Sequence, residues 1–206
     1  SYRSAALIEP LTSAVHGVQQ AEVTLMDTVA INGAGPLGLM MAKTAKLRGA
    51  YVISCDFSAD RLKRAKMLGA DELINLNDVK DQVQAVRDCT PNSRGVDAAI
   101  DASGLPEVWE MNNDMVRKGG RAIQFAGCKA GSTITVDCTR FHYDQLTMKG
   151  VYHTTPRIAE QCYYMIARGE LADDVFVDET YSLDDCVKAL ESHGGGRVVK
   201  NAIVCG

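Results

Sequence analysis

Residues 29–40, V-A-I-N-G-A-G-P-L-G-L-M, join an apolar run to an apolar helical pattern through three glycines. Gly33, Gly35 and Gly38 have the G-x-G-x-x-G spacing, in which the first glycine permits a tight turn, the second lets a ligand approach the backbone, and the third lets helix and strand pack closely. The helix that follows would offer unpaired N–H groups and a positive dipole end to an anion. Alone the pattern is a weak signal, because many glycine-rich turns only connect a strand to a helix.

Strands and helices alternate along most of the chain. Short apolar runs predict strands at residues 28–32, 51–55, 72–74, 96–101, 121–126 and 147–152, and the intervening patterns predict helices at 5–18, 36–47, 58–68, 79–89 and 106–116. This alternation indicates right-handed βαβ crossovers and a parallel sheet with helices on both faces. The sequence therefore predicts an α/β fold with a doubly wound parallel sheet.

Asp56 ends the second predicted strand, 18 residues after Gly38. A carboxylate there can accept both ribose hydroxyls of an adenosine, while the turn and the helix from Pro36 and Leu37 hold a pyrophosphate, so the unit predicts a Rossmann dinucleotide site. A 2′-phosphate would meet the like charge of Asp56, which favours NAD over NADP. Arg61 could take a 2′-phosphate, but stacking on adenine or bracing Asp56 is the preferred interpretation.

Three stretches end the fourth, fifth and sixth predicted strands, at residues 101–104, 125–127 and 151–153. Open parallel sheets bind ligands at the carboxyl ends of their strands, so these stretches are expected to line the nicotinamide half of the site. The candidate contacts are Ser103, Phe125, Ala126, Gly127, Val151, Tyr152 and His153. For Asp101 and Ser103, a plain strand-end turn is an equally good interpretation.

The composition excludes several classes of protein. The chain has 206 residues, 46% apolar and 23% charged, which is typical of a globular protein. A net charge of −4 gives no basic surface for nucleic acid, and no apolar run reaches the length of a membrane span. Seven scattered cysteines without a C-x-x-C pair indicate reduced thiols in the cytoplasm. We therefore expect a cytoplasmic protein with neither nucleic-acid nor membrane partners.

The last fifty residues have a different pattern. Residues 158–168 predict one helix, S-L-D-D at 182–185 predicts a capping box that opens a second helix, and residues 197–204 predict a strand. This tail has too little apolar surface for a core of its own, so it is expected to pack on something else.

Nearly end to end, the chain resembles the zinc-dependent medium-chain dehydrogenases, nearest the sorbitol (polyol) and threonine dehydrogenase branch. The combination of motifs is specific although each motif alone is not. The stretches that carry the resemblance are A-A-L-I-E-P-L at 5–11 with His16, G-A-G-P-L-G at 33–38, C-D-F-S-A-D-R-L-K-R-A-K-M-L-G-A-D at 55–71, D-A-S-G at 101–104, L-T-M-K-G-V-Y at 146–152, and Y-S-L-D-D-C-V-K-A-L at 181–190 with V-V-K at 198–200.

The resemblance implies an enzyme with two domains, a GroES-like catalytic domain and a Rossmann domain. Residues 1–18 would be the inter-domain helix, residues 19–153 the NAD-binding Rossmann domain, and residues 154–206 the return segment that completes the missing catalytic domain. The chain is thus expected to be the C-terminal part of a longer enzyme. The family also implies a homo-oligomer that forms through the Rossmann domain, with residues 131–151 as candidate edge segments.

The resemblance also implies the chemistry. Zinc would lower the pKa of the hydroxyl of a small alcohol or polyol substrate, and hydride would pass from the substrate carbon to NAD. Glu9 would reach the zinc as a ligand or through its water, since carboxylates are accepted zinc ligands. The competing interpretation of Glu9 is a first-turn glutamate favoured by the helix dipole. His153 could contact substrate, and the family's cysteine and histidine ligands match no positions here.

Three alternatives remain open at this stage. The first is a methyltransferase that uses S-adenosylmethionine, against which the third glycine, Gly38, favours a dinucleotide. The second is a non-catalytic NAD-binding module. The third is a zinc-free reductase of the same superfamily, which Glu9-Pro10 and Asp56 disfavour.

Overall fold

A computed structural model describes residues 1–196 and 198–205. These residues divide into two compact units, one of Ser13–Thr154 and one of Ser1–Thr12 with the chain from Thr155 onward. The helices and strands are, in chain order, α1 (Tyr2–Ala5), α2 (Ile8–Gln20), β1 (Thr28–Asn32), α3 (Pro36–Leu47), β2 (Tyr51–Asp56), α4 (Ala59–Met67), β3 (Glu72–Asn75), α5 (Gln82–Asp88), β4 (Val96–Asp101), α6 (Pro106–Met115), β5 (Val116–Gln124), α7 (Cys138–Tyr143), β6 (Thr147–Gly150), α8 (Pro156–Ala167), β7 (Val177–Ser182), α9 (Cys186–Gly194) and β8 (Lys200–Val204).

The larger unit is built on a six-stranded sheet with the order β3-β2-β1-β4-β5-β6. Every neighbouring pair is parallel. The order reverses between β1 and β4, and the carboxyl ends of those two strands flank the crevice where sheets of this kind bind ligands. The prediction of a doubly wound Rossmann sheet is confirmed.

The centre of this sheet is buried on both faces. All six residues of β4 are buried, as are four of the five residues of β1. Apolar side chains of the strands pack with those of α5 and α6, among them Ile53, Val86, Ala99 and Met115. Strands covered on both faces need continuous apolar runs rather than alternation, which is why V-A-I and V-D-A-A-I were recognisable in the sequence.

The predicted bounds of the fifth strand were wrong. β5 begins at Val116, which pairs with Val96, and the ladder resumes with Arg121 opposite Ala98. The residues between form a bulge in which Gly119 has a φ of +68°. The glycine pair at 119–120 therefore lies in a bulge within β5 and does not mark the end of the helix predicted over residues 106–116. Glycines are common at such bulges.

The single predicted helix over residues 5–18 is divided into α1 and α2. Pro10 lies in the first turn of α2, where its missing N–H costs nothing, but a helix continuous with α1 would need that N–H and would clash with the preceding turn. The helix predicted from residue 79 begins later, because Asp81 caps α5 by accepting the N–H of Gln84 at 2.9 Å.

The smaller unit joins the start of the chain to its end. Arg3 donates to the carbonyl oxygen of Val177 at 3.0 Å, and Ser4 Oγ donates to Asp173 at 2.9 Å. The capping box predicted at residues 182–185 was wrong, because Ser182 Oγ donates to the Asp185 carboxylate at 3.0 Å and a 3₁₀ turn precedes α9.

The remaining strands of the smaller unit, β7 and β8, form a parallel pair. The strand predicted over residues 197–204 starts at Lys200, and Arg197 lies outside the described residues. Within residues 1–196 and 198–205, none of the helices combines the length and apolarity that crossing a membrane requires.

Asp97, near the start of β4, connects β4 to β1 and β5 through its carboxylate. The side chain is 5% exposed; it accepts the N–H of Thr28 at 2.8 Å and pairs with Arg117. Burial alone would raise the pKa of Asp97, but the Thr28 N–H and the Arg117 guanidinium outweigh burial and leave the pKa below its ordinary value.

We expect Asp97→Asn to lower the free energy of unfolding by about 2 kcal/mol at neutral pH, because the amide N–H groups would face donors. A carboxylate with a depressed pKa stabilises the fold above its unfolded pKa of about 4 and loses that contribution as the pH falls through the folded pKa. Urea denaturation at neutral and at acid pH measures the difference between the two proteins. An equal difference at both pH values would contradict the ion pair.

Candidate cofactor site

The three glycines of the turn between β1 and α3 serve three different needs. Gly33 has a φ of +108°, and its N–H donates to the carbonyl oxygen of Cys55 at 2.8 Å. A Cβ on Gly38 would lie 1.8 Å from the Gly33 oxygen, so helix and turn touch there. A Cβ on Gly35 would meet nothing within 4 Å, so the space over its backbone is open to a ligand.

Helix α3 begins in a way that suits an anion. Its N-cap residue is Gly35, which has no side chain to cap the helix, and Pro36 follows at the first helical position. The N–H groups of Leu37 and Gly38 lie in the first turn, at the positive end of the helix dipole, and no side chain caps this helix end. A phosphate group is the ligand that such an end favours.

Asp56, the last residue of β2, is bonded directly to the glycine turn. It is 8% exposed; one carboxylate oxygen accepts the N–H of Ala34 at 2.7 Å, and the other accepts the N–H of Ser58 at 2.7 Å. Each oxygen keeps a second lone pair for a further donor, such as a ribose hydroxyl. Arg61 lies in the first turn of α4, which Ser58 caps.

A cleft of about 630 Å³ lies at the carboxyl ends of β4, β5 and β6. Seven of the predicted site residues line it, namely Leu37, Phe125, Ala126, Gly127, Val151, Tyr152 and His153. Strands β5 and β6 end at Gln124 and Gly150, before the predicted 126 and 152, and the residues that follow leave the ladder to form the cleft wall. The Phe125 ring packs on Gly17 of α2, where an added Cβ would come within 2.9 Å of the ring.

The rim of the cleft has a constrained backbone at His153, whose φ is +63°. Its carbonyl oxygen accepts a hydrogen bond from Nδ1 of His16 at 2.6 Å, and because a carbonyl can only accept, that nitrogen carries the hydrogen. The rings of Tyr152 and His153 meet edge to face with their centroids 4.2 Å apart. Sequence reasoning assigned no functional role to His16, which the structure shows bonded to the His153 backbone.

Ala102 belongs to the expected 101–104 stretch, whereas sequence reasoning missed four residues of the cleft, Ser13, Trp109, Gln124 and Gly150. Two of them carried a signal. Trp109 is the one tryptophan in the sequence and lies in the helix that follows D-A-S-G, and Gln124 is a polar residue at the end of an apolar strand. Ser103 is absent from the cleft lining, and its hydroxyl donates to Asp101 at 2.6 Å.

Cys128 directly follows the 125–127 loop. Desolvation and the negative charges of Asp101 and Glu107 raise the pKa of Cys128, so it is protonated at neutral pH. All seven cysteines are free. None of the residues that line the cleft is a cysteine.

Glu9 lies in the smaller unit, exposed, in the first turn of α2. Across the part of the chain that the structure describes, no three His, Cys, Asp or Glu side chains come together in a way that could hold a metal ion. A single exposed carboxylate does not make a zinc site, which takes three or four ligands. The residues present therefore do not fit a zinc ion.

An open glycine turn, an uncapped helix start and an acid at the end of β2 lie together at one end of this parallel α/β sheet. Residues 36–168 match the family described as zinc-binding dehydrogenase. The chain belongs to that family.

Named relatives agree with this assignment. The chain is 32% identical over 195 residues to erythritol/L-threitol dehydrogenase of Mycolicibacterium smegmatis, which covers 94% of this chain and 52% of the relative. It is 31% identical over 195 residues to sorbitol dehydrogenase of Bacillus subtilis, covering 93% and 53%. Alcohol dehydrogenase TADH from Thermus sp. ATN1 has a TM-score of 0.91 at 27% identity, over 100% of this chain and 59% of that one. The chain spans about half the length of the curated relatives it matches.

Proposed function

We propose that this chain is the cofactor-binding part of an NAD-dependent zinc alcohol or polyol dehydrogenase, which passes hydride from a secondary alcohol, polyol or amino alcohol to NAD. The observation that carries the proposal is the bond from Ala34 N–H to Asp56, which places the carboxylate beside the open backbone of Gly35. The substrate class is supported by the relatives, two of which are named for polyols. The chain by itself is expected to be inactive.

Each part of the site has a proposed role. The turn from Gly33 to Gly38 and the start of α3 hold the pyrophosphate, and Asp56 accepts the adenosine ribose hydroxyls. Arg61 stacks on the adenine or braces Asp56, and Ser103 stays a proposed contact on the turn after β4. When bound, the nicotinamide supplies the hydride acceptor.

The cleft residues would orient that ring and exclude water. The 125–127 loop forms one side of the cleft and Val151 and Tyr152 the other, with His153 placed to contact substrate at the rim. Glu9 would be one zinc ligand among others that this chain does not contain.

Titration of the purified chain with NADH and NADPH tests the proposal. Because Asp56 repels a 2′-phosphate, we expect NADH to bind at least about tenfold more tightly than NADPH. Nicotinamide fluorescence gives both affinities, and Trp109 emission, quenched by energy transfer to NADH, gives an independent reading. Equal affinities would remove Asp56 from the site, and displacement of NADH by S-adenosylmethionine would favour the methyltransferase alternative. A folded chain that binds neither nucleotide would refute the proposal.

We also propose a homo-oligomer that pairs through the Rossmann unit. β6 lies at the edge of the sheet, and Thr147, Met148 and Gly150 are exposed along it. An exposed edge strand is a template for pairing with another copy. Sedimentation of the chain against a Met148→Pro variant tests this, since proline removes one edge N–H.

Seven free cysteines are in keeping with the proposed cytoplasmic location.

A further inference from the structure

Asp101, at the end of β4, is fully buried, and its carboxylate accepts hydrogen bonds from four donors, one of which, the N–H of Gly104, is shared between the two oxygens. One oxygen accepts the N–H of Ser103 at 2.8 Å and its hydroxyl at 2.6 Å. The other accepts the N–H of Gly104 at 3.0 Å and the indole N–H of Trp109 at 2.9 Å. One carboxylate thus connects the strand end, the turn that follows it and helix α6.

Those bonds fix residues that line the cleft. Trp109 is on the cleft wall, and its carbonyl oxygen accepts the side-chain amide of Gln124, also on the wall, at 3.2 Å. Behind Gln124, the buried Asn112 donates to it at 3.2 Å and accepts from Asn32 at 2.7 Å. A chain of side-chain hydrogen bonds therefore connects the wall to Asn32, the residue before the glycine turn.

The turn after β4 also supports the loop after β5. Gly104 has a φ of +74°, and a Cβ there would lie 2.7 Å from the carbonyl oxygen of Gly127, so the two backbones are in contact. The N–H of Ala126 donates to the Asp101 carbonyl oxygen at 3.2 Å. Because of these two contacts, we expect a displacement of the 102–104 turn to displace the 125–127 loop as well.

We propose that Asp101 is a positioning residue for the cofactor: through Trp109 and Gly104 it fixes the wall of the nicotinamide cleft and so sets the affinity for NADH. The identity of the ligand, NADH, rests on the proposed function. The effect of Asp101 on the 102–104 turn and the 125–127 loop does not depend on that ligand. Asp101 is fully buried and is not among the residues that line the cleft, but it is bonded to Trp109, which is. Buried residues that hydrogen-bond to the side chains in contact with a ligand hold those side chains in the geometry that binding needs.

The test is Asp101→Asn in the whole chain, with Asp97→Asn as the matched control. Both are buried carboxylates of β4 that accept a backbone N–H, and they lie at opposite ends of the strand. In Asp101→Asn the NH2 group would replace one carboxylate oxygen and face either the two donors of Ser103 or those of Gly104 and Trp109, so two of the four donors lose their acceptor. We expect the Kd for NADH to rise about tenfold. In Asp97→Asn it should stay unchanged although stability falls.

Two further readouts do not depend on the cofactor. Hydrogen exchange of the amides in residues 102–104 and 125–127 should become faster in Asp101→Asn and not in the control. The emission of Trp109, the one tryptophan, should shift when its N–H loses the carboxylate. Trp109→Phe keeps an aromatic ring on the wall without the donor, and we expect it to raise the NADH Kd about threefold. This milder variant serves if Asp101→Asn does not fold.

The outcomes separate the two proposals. Faster exchange in both loops together with weaker NADH binding supports the positioning role. Unchanged exchange in both loops, or equal losses of NADH affinity in Asp101→Asn and Asp97→Asn, would overturn it. If the unchanged chain binds no NADH, the proposed function fails, and hydrogen exchange alone then decides whether Asp101 positions the loops.

Discussion

Gly38→Ala is expected to lower the free energy of unfolding by about 3 kcal/mol and to abolish NADH binding. The added methyl carbon would lie 1.8 Å from the carbonyl oxygen of Gly33, which is backbone and has no side chain to move aside. Relief requires α3 to separate from the turn, and the phosphate-binding N–H groups would move with the helix. Urea denaturation and NADH titration of the same preparation measure the two effects.

Gly35→Ala is the matched control, because the same methyl group is added three residues earlier in the same turn. Gly35 has a φ of −68° and open space at the Cβ position, so stability should change by no more than about 1 kcal/mol. NADH affinity should still fall at least about tenfold, since the methyl group occupies the space through which a pyrophosphate approaches. Normal NADH binding by Gly35→Ala would place the pyrophosphate elsewhere.

Asp56→Ala should abolish the preference for NADH over NADPH. We expect the NADH affinity to fall about thirtyfold, equivalent to about 2 kcal/mol, because charge-assisted bonds to the ribose hydroxyls are lost. NADPH affinity should change little, since removal of the like charge offsets the loss of the acceptor. The N–H groups of Ala34 and Ser58 also lose their acceptor, which should cost about 1–2 kcal/mol of stability. Parallel titrations with the two nucleotides measure the ratio.

Asp71→Ala distinguishes a site effect from a general loss of stability. Asp71 accepts the N–H of Val52 at 2.7 Å and pairs with Lys46 at 2.8 Å. Val52 lies near the amino end of β2, the strand that ends at Asp56. This variant should be destabilised to a similar degree but keep the preference for NADH. If Asp71→Ala and Asp56→Ala lost that preference alike, the effect would be one of stability and Asp56 would have no special role.

Local motifs were readable from the sequence because each depends on residues close together in the chain. The glycine spacing, Asp56 at the end of its strand and the apolar runs of β1 and β4 together predicted the sheet and the turn. The division between α1 and α2 was also within reach, because Pro10 forbids a continuous helix there.

The cleft was only partly predictable, because its walls are assembled by strand order and register. Trp109 and Gln124 reach it through contacts that no spacing rule describes, and the bulge at 117–120 shifts the register of β5 against β4. For Asp101 and Ser103, the sequence left a ligand contact and a plain strand-end turn as equally good interpretations. The structure gives the buried Asp101 a set of internal bonds that the sequence could not distinguish from a binding role.

The carboxylates at the two ends of the sheet have different kinds of partner. At the carboxyl end, Asp56 and Asp101 are held by uncharged backbone, hydroxyl and indole donors. At the amino end, Asp97 and Asp71 pair with Arg117 and Lys46. An engineer could therefore aim to raise thermal tolerance by improving ion pairs at one end and to change nucleotide preference at the other, because these bonds involve different residues at the two ends.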